Sequence, residues 1–386
     1  MAAASPRLAG MRVTVDLDAL VTNWKHLSAM LPGAEAGATV KANAYGCGLE
    51  EVGPALQNAG CTSFFVALPE EAATLRRTLG DGPDIYVLNG LMGGADLAMF
   101  YLENRLLPVI SSVNDMEAWL NGISQRGQHA PSALHVDTGM NRLGLSLSEF
   151  DALMLDEDKL MRLNPTLVMS HLACGDEAEH PLNSAQLSRF SIVAKAMPGT
   201  RASLANSAGH FLGSEYGFDL TRPGIALYGG ECQTPGINPM ETVVTAEARV
   251  LTERTAKTGE TVGYGAAHRF ESPARIAIIS SGYADGFSRA ASGSGVSLRR
   301  AEKTGAQVRY GRHLVPVVGR VSMDLTAIDI TSVPESELGE DWVEIFGPSV
   351  PVDDVARAAG TIGYELLTCL SHRAAYSYRS ARSGVA

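Results

Sequence analysis

Between residues 37 and 228, short apolar runs alternate with segments of helical period, and this alternation constrains the fold more than any other feature of the chain. The runs cover residues 38–40, 63–66, 85–88, 107–110, 133–136, 167–170, 202–204 and 224–228. Gly and Pro bound many of them, and a helical pattern follows most, which is the signature of parallel strands covered on both faces. Eight such runs meet the count of a (β/α)8 barrel, with an open doubly wound sheet as the competitor. The intervening segments support helices. Residues 70–77 are acidic at the start and basic at the end, as the helix dipole prefers, and residues 115–123 and 184–196 read the same way.

After about residue 240 the texture changes. Residues 246–254, 275–280, 314–318, 326–330 and 342–346 are β-rich and separated by Gly-containing turns, and a helical pattern returns only near 352–370. The expected architecture is α/β: an N-terminal TIM-like barrel over residues 10–238 and a mainly β domain over 239–386. Residues 11–17 alternate like a strand, so a strand within 1–17 could join either domain.

Composition narrows the functional class. A chain of 386 residues with 45% hydrophobic content buries a sizeable core without disulfides and is no disordered polymer. It contains no run of 18 apolar residues, so no membrane helix is expected. Acidic residues outnumber basic ones 42 to 31, giving a formal charge of −11, which argues against a nucleic-acid partner. Five scattered cysteines suit a reducing compartment, and residues 1–7 lack the apolar stretch of a signal peptide. The expectation is a cytoplasmic enzyme.

Generic catalytic motifs mostly fail. Gly46-Cys47-Gly48 would begin a dinucleotide fingerprint, but Glu51 occupies the third glycine position. There is no Walker lysine motif and no zinc helix, so no metal is expected. Ala205-Asn206-Ser207-Ala208-Gly209 approaches a nucleophile elbow with Ala in place of the first glycine. That leaves a serine hydrolase open, against the plainer reading of Ser207 as a helix N-cap. More informative is the placement of reactive side chains, because barrel enzymes carry theirs at the carboxyl ends of the strands. Lys41 follows the first run, Asp137 to Arg142 the fifth, His171 closes the sixth, Asn206 and Ser207 follow the seventh, and Arg222 precedes the last.

In this order the residues resemble the alanine racemases, enzymes of fold-type III that use pyridoxal 5'-phosphate (PLP). The resemblance spans nearly the whole chain. It rests on Val40-Lys41-Ala42-Asn43-Ala44-Tyr45-Gly46, Asp137-Thr138-Gly139-Met140-Asn141-Arg142-Leu143-Gly144, Ser170-His171-Leu172-Ala173 and Ala205-Asn206-Ser207. It continues through Arg222-Pro223-Gly224-Ile225-Ala226-Leu227-Tyr228-Gly229, Val262-Gly263-Tyr264-Gly265-Ala266 and Gly282-Tyr283-Ala284-Asp285-Gly286. Gly319-Arg320-Val321-Ser322-Met323-Asp324 and Gly363-Tyr364-Glu365 complete it.

The resemblance implies a set of roles. Lys41 joins PLP through an imine, which requires a lysine pKa lowered from about 10.4. Tyr45, Ser207, Tyr364 and the backbone amides of Gly224 and Ile225 hold the phosphate, with Asn206 and His171 also at the cofactor. Arg222 donates to the pyridine nitrogen. A guanidinium is always protonated and can only donate, so that nitrogen stays unprotonated and the cofactor is a weaker electron sink, which disfavours transamination. Lys41 and Tyr264 serve as bases on the two faces of the substrate Cα, with Tyr264 tuned by a cationic network through His171 and Arg222. Tyr264 comes from the partner subunit, so a homodimer with shared sites is implied. Arg142 contacts both the PLP phenolic oxygen and the substrate carboxylate, and Tyr283, Met323 and Asp324 bind the amino-acid substrate or border its entrance, the Met323 backbone taking the carboxylate.

Three positions depart from the family pattern. His135 stands where many relatives carry a carbamylated lysine that orients Arg142, so a bound anion such as chloride or another acid must do so here. Cys47 and Ser322 replace a common histidine and cysteine. These departures leave the reaction class in place but bear on substrate breadth, so a broader serine or lysine racemase is the nearest rival. A decarboxylase-like relative would pair the pyridine nitrogen with an acid, which Arg222 opposes.

Overall fold

The computed structural model describes residues 8–92, 94–124, 130–233, 238–293 and 305–380. The chain forms two compact units. One comprises the described residues of Leu20–Leu227 and Glu231–Met240, and the other those of Met1–Ala19, Tyr228–Gly230 and Glu241–Ala386. Strand β1 (Met11–Asp16) lies in the second unit, one of the two placements open to a strand within 1–17.

The first unit is built on short parallel strands: β2 (Glu35–Ala36), β3 (Ala38–Thr39), β4 (Ser63–Val66), β5 (Asp84–Val87), β6 (Leu107–Ile110), β7 (Ser132–His135), β8 (Pro165–Met169), β9 (Arg201–Ser203) and β10 (Leu220–Thr221). Strands β3 to β9 form one parallel sheet in sequence order. Closure runs through β10. It pairs in parallel with β2, the Asp219 amide donates to Ala202 O at 3.0 Å, the Arg222 amide to Ala205 O at 2.9 Å, and the Thr39 amide to Pro223 O at 2.8 Å. Phe65, Tyr86, Leu107, Val109, Ala133, Leu167, Met169 and Leu220 fill the interior, so this is a packed core and not a pore.

One strand assignment is corrected. The apolar run at 224–228 is the 3-10 helix Ile225–Tyr228, and the eighth strand position is the two-residue β10. Pro223 lacks the amide a continuing central strand needs, so the ladder stops before that run begins. The correction moves Arg222 from the entry of a strand to the exit of one. It therefore stands on the same rim as Lys41, Asp137, His171 and Ser207.

The second unit contains β11 (Val244–Ala256), β12 (Thr261–Val262), β13 (His268–Arg269), β14 (Ala274–Ile279), β15 (Gln307–Tyr310), β16 (His313–Val318), β17 (Thr326–Asp329), β18 (Trp342–Phe346) and β19 (Ala375–Arg379). The five β-rich segments read from sequence are all strands. The order β14-β17-β16-β15-β18-β11, with β11 pairing back onto β14, closes six antiparallel strands into a ring. β11 serves both neighbours along its length, pairing with β18 over Ala246–Arg249 and with β14 over Val250–Ala256, where the register shifts between Val250 and Thr252. Strand β1 adds antiparallel to β11, with Met11, Val13 and Val15 buried, and β19 adds parallel to β1. The helical stretch near 352–370 is two helices, Val352–Ala359 and Gly363–Thr368. The first ends at Gly360, whose φ of 70° suits glycine as a left-handed cap.

Candidate active site

Lys41 leaves the end of β3 and enters an uncommon backbone conformation. Ala42, Asn43, Ala44 and Tyr45 all have φ of 53–54°, a left-handed helical turn made without glycine. Each such residue costs about 1–2 kcal/mol relative to the right-handed form, so the turn persists only where its surroundings impose it. At its start the Ala42 amide donates to Glu71 Oε1 at 2.6 Å, and Glu71 Oε2 accepts from the amides of Ala67 and Leu68 at 2.9 and 3.0 Å. At its end Asn43 Oδ1 accepts from the Leu49 amide at 2.9 Å. Within it, Ala44 N donates to Val40 O and Gly46 N to Ala42 O, both at 2.9 Å. The result brings Lys41 and Tyr45, one turn apart, to one rim.

The Lys41 amine makes no hydrogen bond or ion pair among the described residues. Its pKa is lowered, first by burial and then by the charge of Arg142, with Glu71 opposing the shift. A shift in that direction raises the share of the free amine, the form that attacks a carbonyl.

Tyr45 is buried against the β10 exit. A Cβ placed on Gly224 would fall 2.3 Å from the Tyr45 hydroxyl, so only glycine lets the backbone come this close. Ser207 Oγ accepts from the Gly224 amide at 2.8 Å and the Ala226 amide at 3.3 Å. Two hydroxyls and the amides opening the helix Ile225–Tyr228 thus converge, a donor set suited to a phosphate. Ser207 precedes the helix Ala208–Phe211 without capping it through its side chain. Among the described residues no histidine nitrogen bonds to it, because His210 Nδ1 is committed to Asn206 O at 2.9 Å. Both the N-cap reading and the hydrolase reading of Ser207 are therefore set aside. Asn206 Oδ1 accepts from the Gly209 amide at 3.0 Å.

Arg222 is only 4% exposed and has no acidic partner among the described residues, which argues against a rim salt bridge. Its Nη1 donates to Ser203 Oγ and its Nη2 to Ser170 O, while Nη2 lies 3.4 Å from His171 Nδ1. Among the described residues its Nε–H donates to nothing, which leaves a fixed cationic N–H for an acceptor from outside the chain. Burial pushes the Arg222 pKa down to about 9, still well above neutrality, so the guanidinium keeps its charge. His171 differs: burial and the charges of Arg222 and Arg142 hold its imidazole far below its ordinary pKa. The expected link between the two residues is present, but its positive charge sits on Arg222 alone.

Arg142 follows β7 on an exposed loop and has no hydrogen-bond or ion-pair partner among the described residues. Asp137, the nearest acid in sequence, is spent on backbone: it accepts from the amides of Gly139, Met140 and Asn141 at 2.8, 2.8 and 2.9 Å. His135 is buried, lies 3.5 Å from Ser111 Oγ through Nδ1, and has its pKa driven down to about 4 by burial and then by Arg222. A neutral imidazole supplies no anion for Arg142. Cys47 is buried, its thiol bonding to Tyr45 O at 3.8 Å.

In the second unit, Tyr264 heads the 3-10 helix Tyr264–Ala266 and is 67% exposed, with no partner for its phenol among the described residues. Tyr283 and Met323 lie on two loops bonded to each other, Tyr283 N to Ser322 O and Ala284 N to Met323 O, each at 3.0 Å. Met323 is 53% exposed, and its amide donates to nothing among the described residues. Asp324 pairs with Arg373 Nη1 at 2.8 Å, and Arg373 Nε also reaches Asp285 at 3.3 Å. Ser322 Oγ donates to Leu325 O at 2.6 Å. Tyr364 stands in the first turn of Gly363–Thr368.

Sequence reasoning missed three contributors: Ser203 and Ser170, which seat Arg222, and Glu71. Glu71 was visible only as an acid in a helix's first turn.

Residues 15–232 match the family model "Alanine racemase, N-terminal domain", and residues 243–378 match "Alanine racemase, C-terminal domain". The chain belongs to the alanine racemase family. An alanine racemase of Rhizobium meliloti is 50% identical over 366 residues, covering 95% of this chain and 96% of the relative. A biosynthetic alanine racemase of Agrobacterium fabrum is 49% identical over 368 residues, covering 95% and 93%. Among solved structures, the alanine racemase of Bartonella henselae with covalently bound pyridoxal phosphate aligns with a TM-score of 0.88 and 37% identity, covering 96% of this chain and 100% of that one.

Proposed function

We propose that this chain interconverts L- and D-alanine with pyridoxal 5'-phosphate, in a homodimer whose active sites are shared. The observation that carries the reading is Lys41. It is an amine unpaired among the described residues, at a barrel strand's carboxyl end, with its pKa lowered by burial and by Arg142. When bound, PLP supplies the electron withdrawal that makes the Cα proton of an amino acid acidic. The donor set fits that group: the hydroxyls of Tyr45 and Ser207, the Ile225 amide and the Gly224 amide now held by Ser207 Oγ for the phosphate, and the Nε–H of Arg222, unused among the described residues, for a ring nitrogen. The family resemblance adds Tyr364 to the phosphate set, and Asn206 and His171 behind it.

Racemisation requires a proton to leave one face of Cα and another to arrive on the opposite face. Lys41 holds or takes the proton on its face. Tyr264 of the partner subunit serves the other, and its exposure within one chain supports that reading. The guanidinium of Arg142 and the amide of Met323 hold the substrate carboxylate, with Tyr283 and Asp324 at the entrance. The guanidinium of Arg142, without a partner among the described residues, also supports an exogenous anion such as chloride as its orienting partner, since Asp137 is occupied. Borohydride treatment tests the reading. The purified protein with PLP should absorb near about 420 nm and lose that band on reduction, and Lys41→Ala should never show it. A protein that stays colourless with PLP would refute it.

A further inference from the structure

We propose that Glu71 is a positioning residue of the reaction, whose carboxylate clamps the left-handed turn after Lys41 and so fixes where the amine points. The inference rests on the racemase reading and extends it to a residue that reading does not use.

The geometry is a three-point clamp. Oε1 takes the Ala42 amide, the first peptide group after Lys41, at 2.6 Å. Oε2 takes the amides of Ala67 and Leu68 at 2.9 and 3.0 Å, just beyond the end of β4. One carboxylate therefore ties the backbone at Lys41 to the adjacent barrel strand. Charge-assisted bonds to a carboxylate are among the stronger ones a protein makes. The turn needs such a tie, because four successive non-glycine residues with φ of 53–54° would otherwise relax. Relaxation at Ala42 would swing the Lys41 Cα, and a misplacement of about 1 Å at a reacting group costs about a hundredfold in rate. Glu71 also carries charge to the amine. The groups acting on Lys41 are Glu71, which favours its ammonium form, and Arg142, which disfavours it; the nearby His171 is neutral.

A simple helix cap would explain the bonds to Ala67 and Leu68 but not the one to Ala42, which belongs to another element. Two substitutions separate the roles. Glu71→Asp keeps the charge but shortens the reach, and Glu71→Gln keeps the length but removes the charge.

The test uses PLP-loaded wild type, Glu71→Asp and Glu71→Gln, with kcat, KM, Cα-proton exchange from each enantiomer of alanine, pH profiles and melting temperatures. Both variants should keep the absorbance of captured cofactor and lose about ten- to a hundredfold in kcat with KM nearly constant. With Tyr264 taken as the base facing the Cα proton of L-alanine and Lys41 as the one facing that of D-alanine, exchange from D-alanine should fall more than exchange from L-alanine. The acid limb of D-alanine exchange should move to lower pH in Glu71→Gln and stay in place in Glu71→Asp. Wild-type kcat in both variants, or an equal loss from both enantiomers with an unmoved pH profile, would overturn the proposal and leave Glu71 a helix cap. A wild-type protein that does not racemise alanine would overturn both this inference and the function beneath it.

Discussion

Nη2 of Arg222 lies 3.4 Å from Nδ1 of His171, and burial beside Arg222 and Arg142 holds that imidazole neutral. A guanidinium only donates, so Nδ1 accepts and the ring proton resides on Nε2. The pair presents one fixed positive charge, on Arg222, supported by a neutral relay.

The first prediction concerns that charge. Replacing Arg222 by Glu would put a protonatable carboxyl where a permanent donor stands, strengthening the cofactor as an electron sink. Keto-acid formation per racemisation turnover should rise by at least about tenfold, as measured by coupled keto-acid reduction. Arg222→Gln, which carries no proton to donate as an acid, should lower racemisation without that rise. Unchanged partitioning in Arg222→Glu would discredit the role given to the guanidinium.

Tyr264 offers a second, directional test. Tyr264→Phe should slow Cα-proton exchange from L-alanine by about 10²–10⁴-fold, while the Lys41 amine still captures PLP. Shared sites make a further demand. Mixing inactive Lys41→Ala with inactive Tyr264→Phe and allowing subunits to exchange should restore about a quarter of wild-type activity, because half of the dimers then hold one intact site. No recovery after demonstrated exchange would contradict a partner-supplied Tyr264.

The phosphate cradle can be tested without turnover. Ser207→Ala leaves the amides of Gly224 and Ala226 without the oxygen they now share, a loss of about 1–3 kcal/mol. PLP affinity should fall about ten- to a hundredfold by fluorescence titration. Gly224→Ala drives a methyl into the Tyr45 hydroxyl and should weaken binding at least as much. An unaltered affinity in both would remove this corner from the cofactor site.

Buried histidines predict an acid-sensitive fold. His135 and His210 both have folded pKa values near about 4 against a usual 6.5, set chiefly by burial. As pH falls below about 6.5 the unfolded chain takes up protons that the folded chain refuses. Stability present in full at neutral pH is therefore lost progressively down to about pH 4, at most about 3 kcal/mol per histidine. Urea denaturation between pH 7 and 4.5 should show this loss, and His210→Gln should flatten it. An identical slope in the variant would mean that His210 titrates normally.

How much of this was legible follows from the physics of each element. The barrel strands announce themselves because most of their residues are buried and apolar, with Glu35, Asp84 and Arg201 standing at strand starts and His135 at a strand end. The eighth strand did not, since Leu220–Thr221 is two residues long and the longer apolar run beyond Pro223 is helical. Lys41, His171 and Ser207 were visible as reactive groups at the carboxyl ends of strands, and Arg222 only as a residue preceding an apolar run, but their contacts were not. The left-handed turn over Ala42 to Tyr45 has no glycine to mark it and depends on Glu71, 29 positions away from Ala42. Tyr264 and Met323 carry no local signal of function, because an exposed aromatic or methionine in a β-rich segment is ordinary; only the family resemblance picks them out.

The most direct test of the whole account is enantiomer-resolved chromatography of D-alanine incubated with the purified, PLP-loaded protein. The account predicts conversion to an equal mixture of both enantiomers, abolished by Lys41→Ala. D-alanine recovered unchanged by protein shown to carry the cofactor would contradict it.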